Sequence, residues 1–169
     1  GKVAVLDGGF ARWKAEGRAV TADVPKPKPG NFKGKPNAAM LAELAEVEKL
    51  SKARSGVLVD ARGGDRYRGE TEPIDRTPGH IPSAINLPFG GNVGPDGRFL
   101  APEVLRKRFE PAINGKPAAS IHYCGSGVSA CHNLLAMAVA GLEPGRLYVG
   151  SWSQWSKDPS RPVATGATP

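Results

Sequence analysis

From residue 37 onward, short apolar runs alternate with longer amphipathic stretches, the rhythm of strands and helices taken in turn. Residues 38–53 carry apolar positions at helical spacing behind Asn37, a residue suited to capping a first turn, although Met40-Leu41-Ala42 reads equally well as a short strand. Val57-Leu58-Val59-Asp60-Ala61 is nearly all apolar, as expected of a strand covered on both faces. A polar loop over residues 62–83 leads to a second strand, Ala84-Ile85-Asn86-Leu87, which Pro88 ends. After the glycine-rich residues 90–97 a helix is expected over residues 102–109, and a third strand over residues 118–123. Residues 129–140 are apolar around most of the helical circumference, which predicts a buried helix stopped by Gly141. A strand at residues 147–149 and a helix carrying Trp152 and Trp155 close the pattern. Its sum is an α/β domain with a parallel sheet.

Residues 1–36 do not follow this rhythm. Val5-Leu6-Asp7-Gly8-Gly9-Phe10-Ala11-Arg12-Trp13 repeats the plan of Leu147-Tyr148-Val149-Gly150-Ser151-Trp152-Ser153-Gln154-Trp155: strand, glycine turn, aromatic helix. If the second copy ends a domain, the first is the end of another, so residues 1–20 are expected to be a severed tail. Residues 21–36 alternate Lys with Pro and Gly, the composition of an extended, solvated linker. The chain's net charge of +7 sits mainly here: residues 1–36 hold eight Lys or Arg against three Asp or Glu, leaving only +2 for residues 37–169. That distribution argues against a nucleic-acid partner. No apolar run approaches the roughly 20 residues that span a bilayer, and no signal peptide opens the chain, so no membrane partner and a cytoplasmic location are expected. The two cysteines, Cys124 and Cys131, make neither a disulfide framework nor a paired Cys-x-x-Cys metal site.

The chemistry concentrates in Ile121-His122-Tyr123-Cys124-Gly125-Ser126-Gly127-Val128-Ser129-Ala130, which runs from a strand through a short loop into a helix. The carboxyl ends of strands in an open α/β sheet are where ligands bind, and a helix N-terminus offers unpaired N–H groups and partial positive charge. Both favour a thiolate at Cys124. The two glycines let successive amides turn inward as an anion cradle. A cysteine is ordinarily a small buried hydrophobe, the reading kept for Cys131 inside its apolar helix, but strand end, Gly-x-Gly loop and helix start together favour a nucleophile at Cys124. Phosphatases of the tyrosine-phosphatase type also place a cysteine before a helix. They need an arginine six residues on to grip the phosphate, and here that residue is Ala130.

These residues, with Asp60-Ala61-Arg62, Arg66-Tyr67-Arg68-Gly69, Gly79-His80-Ile81-Pro82-Ser83-Ala84-Ile85-Asn86 and Gly150-Ser151-Trp152, resemble the catalytic C-terminal domain of tandem rhodaneses over residues 37–166. Residues 1–20 resemble the last strand and helix of the preceding, inactive domain. The resemblance implies a rhodanese-like three-layer fold, with a parallel sheet of about five strands flanked by helices, and sulfur transfer through a cysteine persulfide. It implies Cys124 as nucleophile, amides of Gly125, Gly127, Val128 and Ser129 as the cradle of the terminal sulfur, and Arg66 as the binder of the donor's anionic part. Arg76 is a second, lower-ranked anion-binding candidate. The Gly125-Ser126-Gly127 loop resembles that of 3-mercaptopyruvate sulfurtransferases, in which the serine takes part in proton handling; thiosulfate-using rhodaneses often carry Arg and Lys there. Ser129 stands where threonine is more usual and keeps the hydroxyl.

The resemblance further implies a small anionic donor, 3-mercaptopyruvate or thiosulfate, and an acceptor that is a thiol such as thioredoxin, or cyanide, with no cofactor and no metal. His80 is expected to be a hydrogen-bonded scaffold residue, His122 and His132 not to be ligands, and the two tryptophans to be core and rim aromatics. In tandem rhodaneses the first domain walls the active site, so the surface left here is expected to support self-association or pairing with a partner. The competing class is a non-catalytic module that senses sulfur or anions through the same pocket.

Overall fold

The apolar runs assemble into a parallel sheet, seen in a computed structural model that describes residues 3–35, 37–114 and 119–169. Its strands are β1 (Val57–Asp60), β2 (Ala84–Asn86), β3 (Ser120–Tyr123) and β4 (Arg146–Leu147), in the order β2-β1-β3-β4. Leu41 adds a single parallel bridge to Leu147, so the stretch that reads as helix or strand supplies the start of a fifth position at the sheet edge. Asn37 caps a 3-10 turn at Ala38–Met40, its side chain accepting the Ala39 N–H, and the helix proper begins at Leu44. Ala118, at the expected start of the third strand, lies outside the described residues.

Alternation along β1 and β3 divides the interior in two. Leu58, Ile121 and Tyr123 face α2 (Leu44–Ala53) and α6 (Ser151–Trp155), where Val47, Trp152 and Trp155 complete one core. Val57 and Leu147 face α4 (Pro102–Phe109) and α5 (Val128–Val139), where Leu105, Phe109, Leu134 and Met137 form the other. Helices on both faces of the sheet make three layers. Gly141 stops α5 as expected: at φ +67 it donates its N–H to Ala138, while Leu142 donates to Met137, which satisfies two otherwise orphaned carbonyls. The α5 surface departs from the all-round burial expected of it. Val128, Cys131, Ala138 and Val139 face outward because only one side of the helix meets the sheet, so Cys131 is exposed and not a packing residue.

Two further elements escape the hydrophobic pattern. The polar stretch after β1 contains α3 (Gly64–Arg68), one and a half turns closed by Gly69 in the left-handed region. At the other end of the chain α1 (Gly9–Ala15) forms as expected, but residues 3–6 pair with no strand among the described residues and α1 buries no side chain. It is tied to the domain by polar contacts, Asp7 accepting the Phe99 N–H and Arg12 pairing with Asp96. The described part of residues 21–36 is exposed and without regular structure. No helix among the described residues is long and apolar enough to cross a membrane.

His80 fills the scaffold role expected of it. It is fully buried, stacks on Tyr67 at 3.7 Å, and its Nδ1 meets the Tyr67 carbonyl at 2.7 Å. Among the described residues His122 Nδ1 finds no hydrogen-bond partner, and burial holds His80 below its ordinary value and pushes His122 down to about 3. An unfolded chain takes up these protons near pH 6.5 and the folded chain does not. Their contribution to stability is therefore fully present above about pH 6.5 and is lost on acidification, by about 1.4 kcal/mol per unit for His122 alone. Urea denaturation at a series of pH values between 7.5 and 5 measures this slope, and His122→Leu should flatten it.

Candidate active site

Cys124 follows the last residue of β3, and the register that sets Asp60 beside Tyr123 brings it out at the same sheet end as Ala61 and Arg62. The Ala61 N–H donates to the Tyr123 carbonyl at 2.8 Å and extends the ladder to that end. From Cys124 the chain must reverse within three residues to enter α5. Gly127 makes this possible, at φ +83 and so close to Val149 that a Cβ would stand 3.0 Å from its carbonyl oxygen. The loop is strapped to α6 on its other side: the Cys124 carbonyl accepts the Trp152 N–H at 2.9 Å and the Gly125 carbonyl accepts the Ser153 N–H at 3.0 Å.

Ser151 supplies a fastening that the sequence pattern did not announce. Its hydroxyl accepts the Cys124 N–H at 3.1 Å and donates to the Tyr148 carbonyl at 2.9 Å, while its own backbone sits at φ +51, a region that costs a non-glycine residue energy. The Cys124 amide is thereby taken up. The N–H groups of Gly125, Ser126 and Gly127, and the first-turn amides of α5, donate to no protein group among the described residues. They are unpaired donors in the loop where the glycine spacing led to the expectation of a cradle.

Cys124, 3% exposed, borders an open pocket of about 300 Å³. Gly125, Ser126 and Ser129 form the loop side, Arg62 and Arg66 the opposite side, with Ile74, Phe89 and Ser153 at the rim. Of the expected site residues, Cys124, Ser126, Gly125, Ser129 and Arg66 are thus brought together. Gly127 turns the loop without lining the pocket, and the Val128 side chain points outward, which leaves these two their backbones only. Arg76 is not part of this pocket; together with Asp75 it lines a neighbouring hollow. Ala130 is buried against Cys124 and Ala61, so no cation stands where a phosphatase would need one.

Arg66 projects from α3, and its orientation is set by acids in the following loop. Its Nε and Nη2 donate to Glu72 at 3.2 and 2.5 Å, and Nη2 reaches Asp75 at 3.4 Å. Nη1 is the atom left toward the cysteine loop, where a Cβ placed on Gly125 would lie 3.7 Å from it. Burial alone would raise the Glu72 carboxyl, but the Arg66 guanidinium and the N–H groups of Asp75 and Ile74 outweigh it and hold the group below its ordinary range. Arg62, which carried a motif match but no assigned role, is the deeper support: it bridges the buried Asp60 carboxylate and Glu72, and lies 4.8 Å over the Trp152 ring. Neither Glu72 nor Asp75 stands out in the sequence, since a carboxylate in a polar loop looks solvated. Among the described residues no group of three or more His, Cys, Asp or Glu side chains is placed to share a metal ion.

The Rhodanese-like domain model matches residues 43–158, more than half of the chain and all of the sheet. The chain belongs to the rhodanese family. Among its relatives is a Pseudomonas aeruginosa protein named "Probable 3-mercaptopyruvate sulfurtransferase", 50% identical over 97% of this chain and 58% of its own length. Thiosulfate sulfurtransferase of Bos taurus is 35% identical and human 3-mercaptopyruvate sulfurtransferase 32%, each over 90% of this chain and 52% of its own. This rhodanese chain therefore spans little more than half the length of the relatives it matches. In fold it is similar to the anaerobic ergothioneine biosynthesis enzyme of Chlorobium limicola, with a TM-score of 0.80 at 24% identity, covering 95% of this chain and 41% of that one.

Replacing Ser151 tests the fastening of the loop. Ser151→Ala strands the Cys124 N–H and keeps the left-handed strain, so it should cost about 1–3 kcal/mol of stability in urea denaturation. Ser151→Gly loses the same hydroxyl but adopts φ +51 freely, and should be the less damaging of the two.

Proposed function

We propose that the chain is a sulfurtransferase that carries sulfur as a persulfide on Cys124, loaded preferentially by 3-mercaptopyruvate. The observation that carries this reading is the placing of one thiol between a loop of unpaired amides and the open edge of a guanidinium. The Arg66 Nη1 edge would hold the donor carboxylate and set its sulfur against Cys124. The Cys124 thiolate then attacks that sulfur, forming the S–S bond as the donor's C–S bond breaks. The electron pair of that bond goes to carbon and the thiol proton of the donor follows it, giving pyruvate and Cys124–S–S⁻. Ser126, at the pocket wall, is suited to pass this proton, and the amides of residues 125–129 to hold the terminal sulfur anion. A thiol or cyanide then takes the outer sulfur and restores the thiolate; thioredoxin is a thiol acceptor of the expected kind.

Intact-mass measurement after brief exposure to 3-mercaptopyruvate, and separately to thiosulfate, tests the reading. A gain of one sulfur is expected, faster with 3-mercaptopyruvate, removed by cyanide and absent from Cys124→Ser. Arg66→Ala should raise the donor KM by about ten- to a hundredfold, the loss of one charge-assisted contact, with a smaller effect on the cyanide step. No sulfur gain from either donor would leave a binding module of the same fold.

A further inference from the structure

Beside the cysteine pocket lies a second hollow, of about 550 Å³, which shares Ile74 and Ser153 with it. Arg76 and Lys157 line it, with the hydroxyl-bearing Thr77 and Ser156. Most other arginines of the domain are held by a carboxylate, including Arg62, Arg66, Arg68, Arg146 and Arg161. Among the described residues Arg76 and Lys157 have no such partner. Asp75 borders the hollow as well, but it is only 11% exposed and engaged by Arg66, while Asp158, next to Lys157, is taken by Arg161. Two cations without a carboxylate partner among the described residues thus line a concave surface that adjoins the Cys124 pocket.

That surface has no task in loading. The carboxylate of 3-mercaptopyruvate is only a few bonds from its sulfur and is met by Arg66 inside the cysteine pocket. A larger molecule that presents sulfur to Cys124 has to leave across the Ile74 and Ser153 rim, and there it meets Arg76 and Lys157. Ile74, 74% exposed, offers its side chain to the aliphatic part of such a molecule. We propose that the hollow is the subsite for the anionic tail of the sulfur acceptor, a thiol that carries carboxylates, and that Arg76 and Lys157 hold those carboxylates while the thiol reaches the persulfide. This rests on the persulfide reading of Cys124. In the transfer the acceptor thiolate attacks the outer sulfur, the acceptor S–S bond forms as the Cys124 S–S bond breaks, and the electron pair of the broken bond returns to Cys124 as thiolate; the acceptor leaves as a persulfide anion.

The test compares the intact chain with Arg76→Ser/Lys157→Ser, two exposed positions whose change leaves the core untouched. Each is loaded with 3-mercaptopyruvate and discharged with glutathione, which carries two carboxylates, or with 2-mercaptoethanol, which carries none. The ratio of second-order discharge rates, glutathione over 2-mercaptoethanol, should fall at least fivefold in the double variant. In parallel, S-methylglutathione is titrated into Cys124→Ser with and without the two substitutions, and its Kd should rise at least fivefold. An unchanged ratio overturns the subsite, as does a loss that appears in donor loading and not in discharge. Should the unsubstituted chain take up no sulfur, the persulfide reading fails and the titration decides the subsite: binding weakened by the substitutions upholds it, and binding that is absent or unaltered overturns it.

Discussion

The Asp60 carboxylate is fully buried at the carboxyl end of the central strand, and a charge in that position has to be neutralised where it stands. Arg62, two residues on, meets it with its backbone N–H, Nε and Nη2. The rest of the guanidinium goes to the Gly79 carbonyl and to Glu72, and Glu72 in turn takes Arg66. Charges of alternating sign therefore run from the sheet to the pocket, and the guanidinium that faces the cysteine loop is aimed by a strand residue it never touches. A chain of this kind adds little net stability, because desolvation consumes most of the Coulombic gain, yet removing one member strands the others at a cost of about 3–5 kcal/mol. Its contribution is position.

The thiol inherits its place from the same strand. Parallel register between β1 and β3 makes Arg62 and Cys124 emerge at the same sheet end, one carrying charge toward the pocket and the other the proposed nucleophile. The two halves of the site then diverge in how they are secured. Arg66 is held through side chains, which can adjust when a donor arrives. Cys124 is held through backbone: its N–H on Ser151, its carbonyl on Trp152, and the turn at Gly127 pressed against Val149. A cysteine fixed by main chain would keep its geometry through the proposed gain and loss of a sulfur, and the strain kept at Ser151 is offset by two hydrogen bonds.

The strands were legible because burial on both faces leaves continuous apolar runs, as in Val57-Leu58-Val59, and the cysteine loop because glycine spacing between a strand and a helix has few other uses. Family motifs carried the assignment of Cys124 and Arg66 further than periodicity could. What the sequence hid has three physical causes. The α3 helix is too short to show a period, so its five residues read as loop. Outward positions on α5 were invisible because Cys131 and Val139 are apolar without being buried, and one-dimensional hydrophobicity cannot say which side meets the sheet. The ion-pair partners Glu72 and Asp75 lie in a polar stretch where composition suggests solvation; burial, not composition, makes them structural. Arg76, beyond the family's Arg66-Tyr67-Arg68-Gly69 motif, carries only its charge as a sequence signal, which cannot say that it lines the adjoining hollow and not the cysteine pocket.

Charge balance inside the pocket bears on which donor suits it. Two guanidiniums, Arg62 and Arg66, face three carboxylates, Asp60, Glu72 and Asp75, so the wall opposite the thiol carries no excess of positive charge. What it offers is direction: one open edge of Arg66, and across from it a row of neutral amide dipoles. Thiosulfate brings two negative charges on a single compact group and would crowd them against a thiolate without a compensating cation. 3-Mercaptopyruvate brings one charge, placed away from its sulfur. The carboxylate can take the guanidinium edge while the sulfur, neutral until the bond breaks, approaches the amides that will hold it as an anion. A site with oriented donors and no surplus charge would separate the two donors by where their charge lies, and it is the arrangement of Glu72 around Arg66, as much as the Gly125-Ser126-Gly127 loop, that supports the proposed preference for 3-mercaptopyruvate.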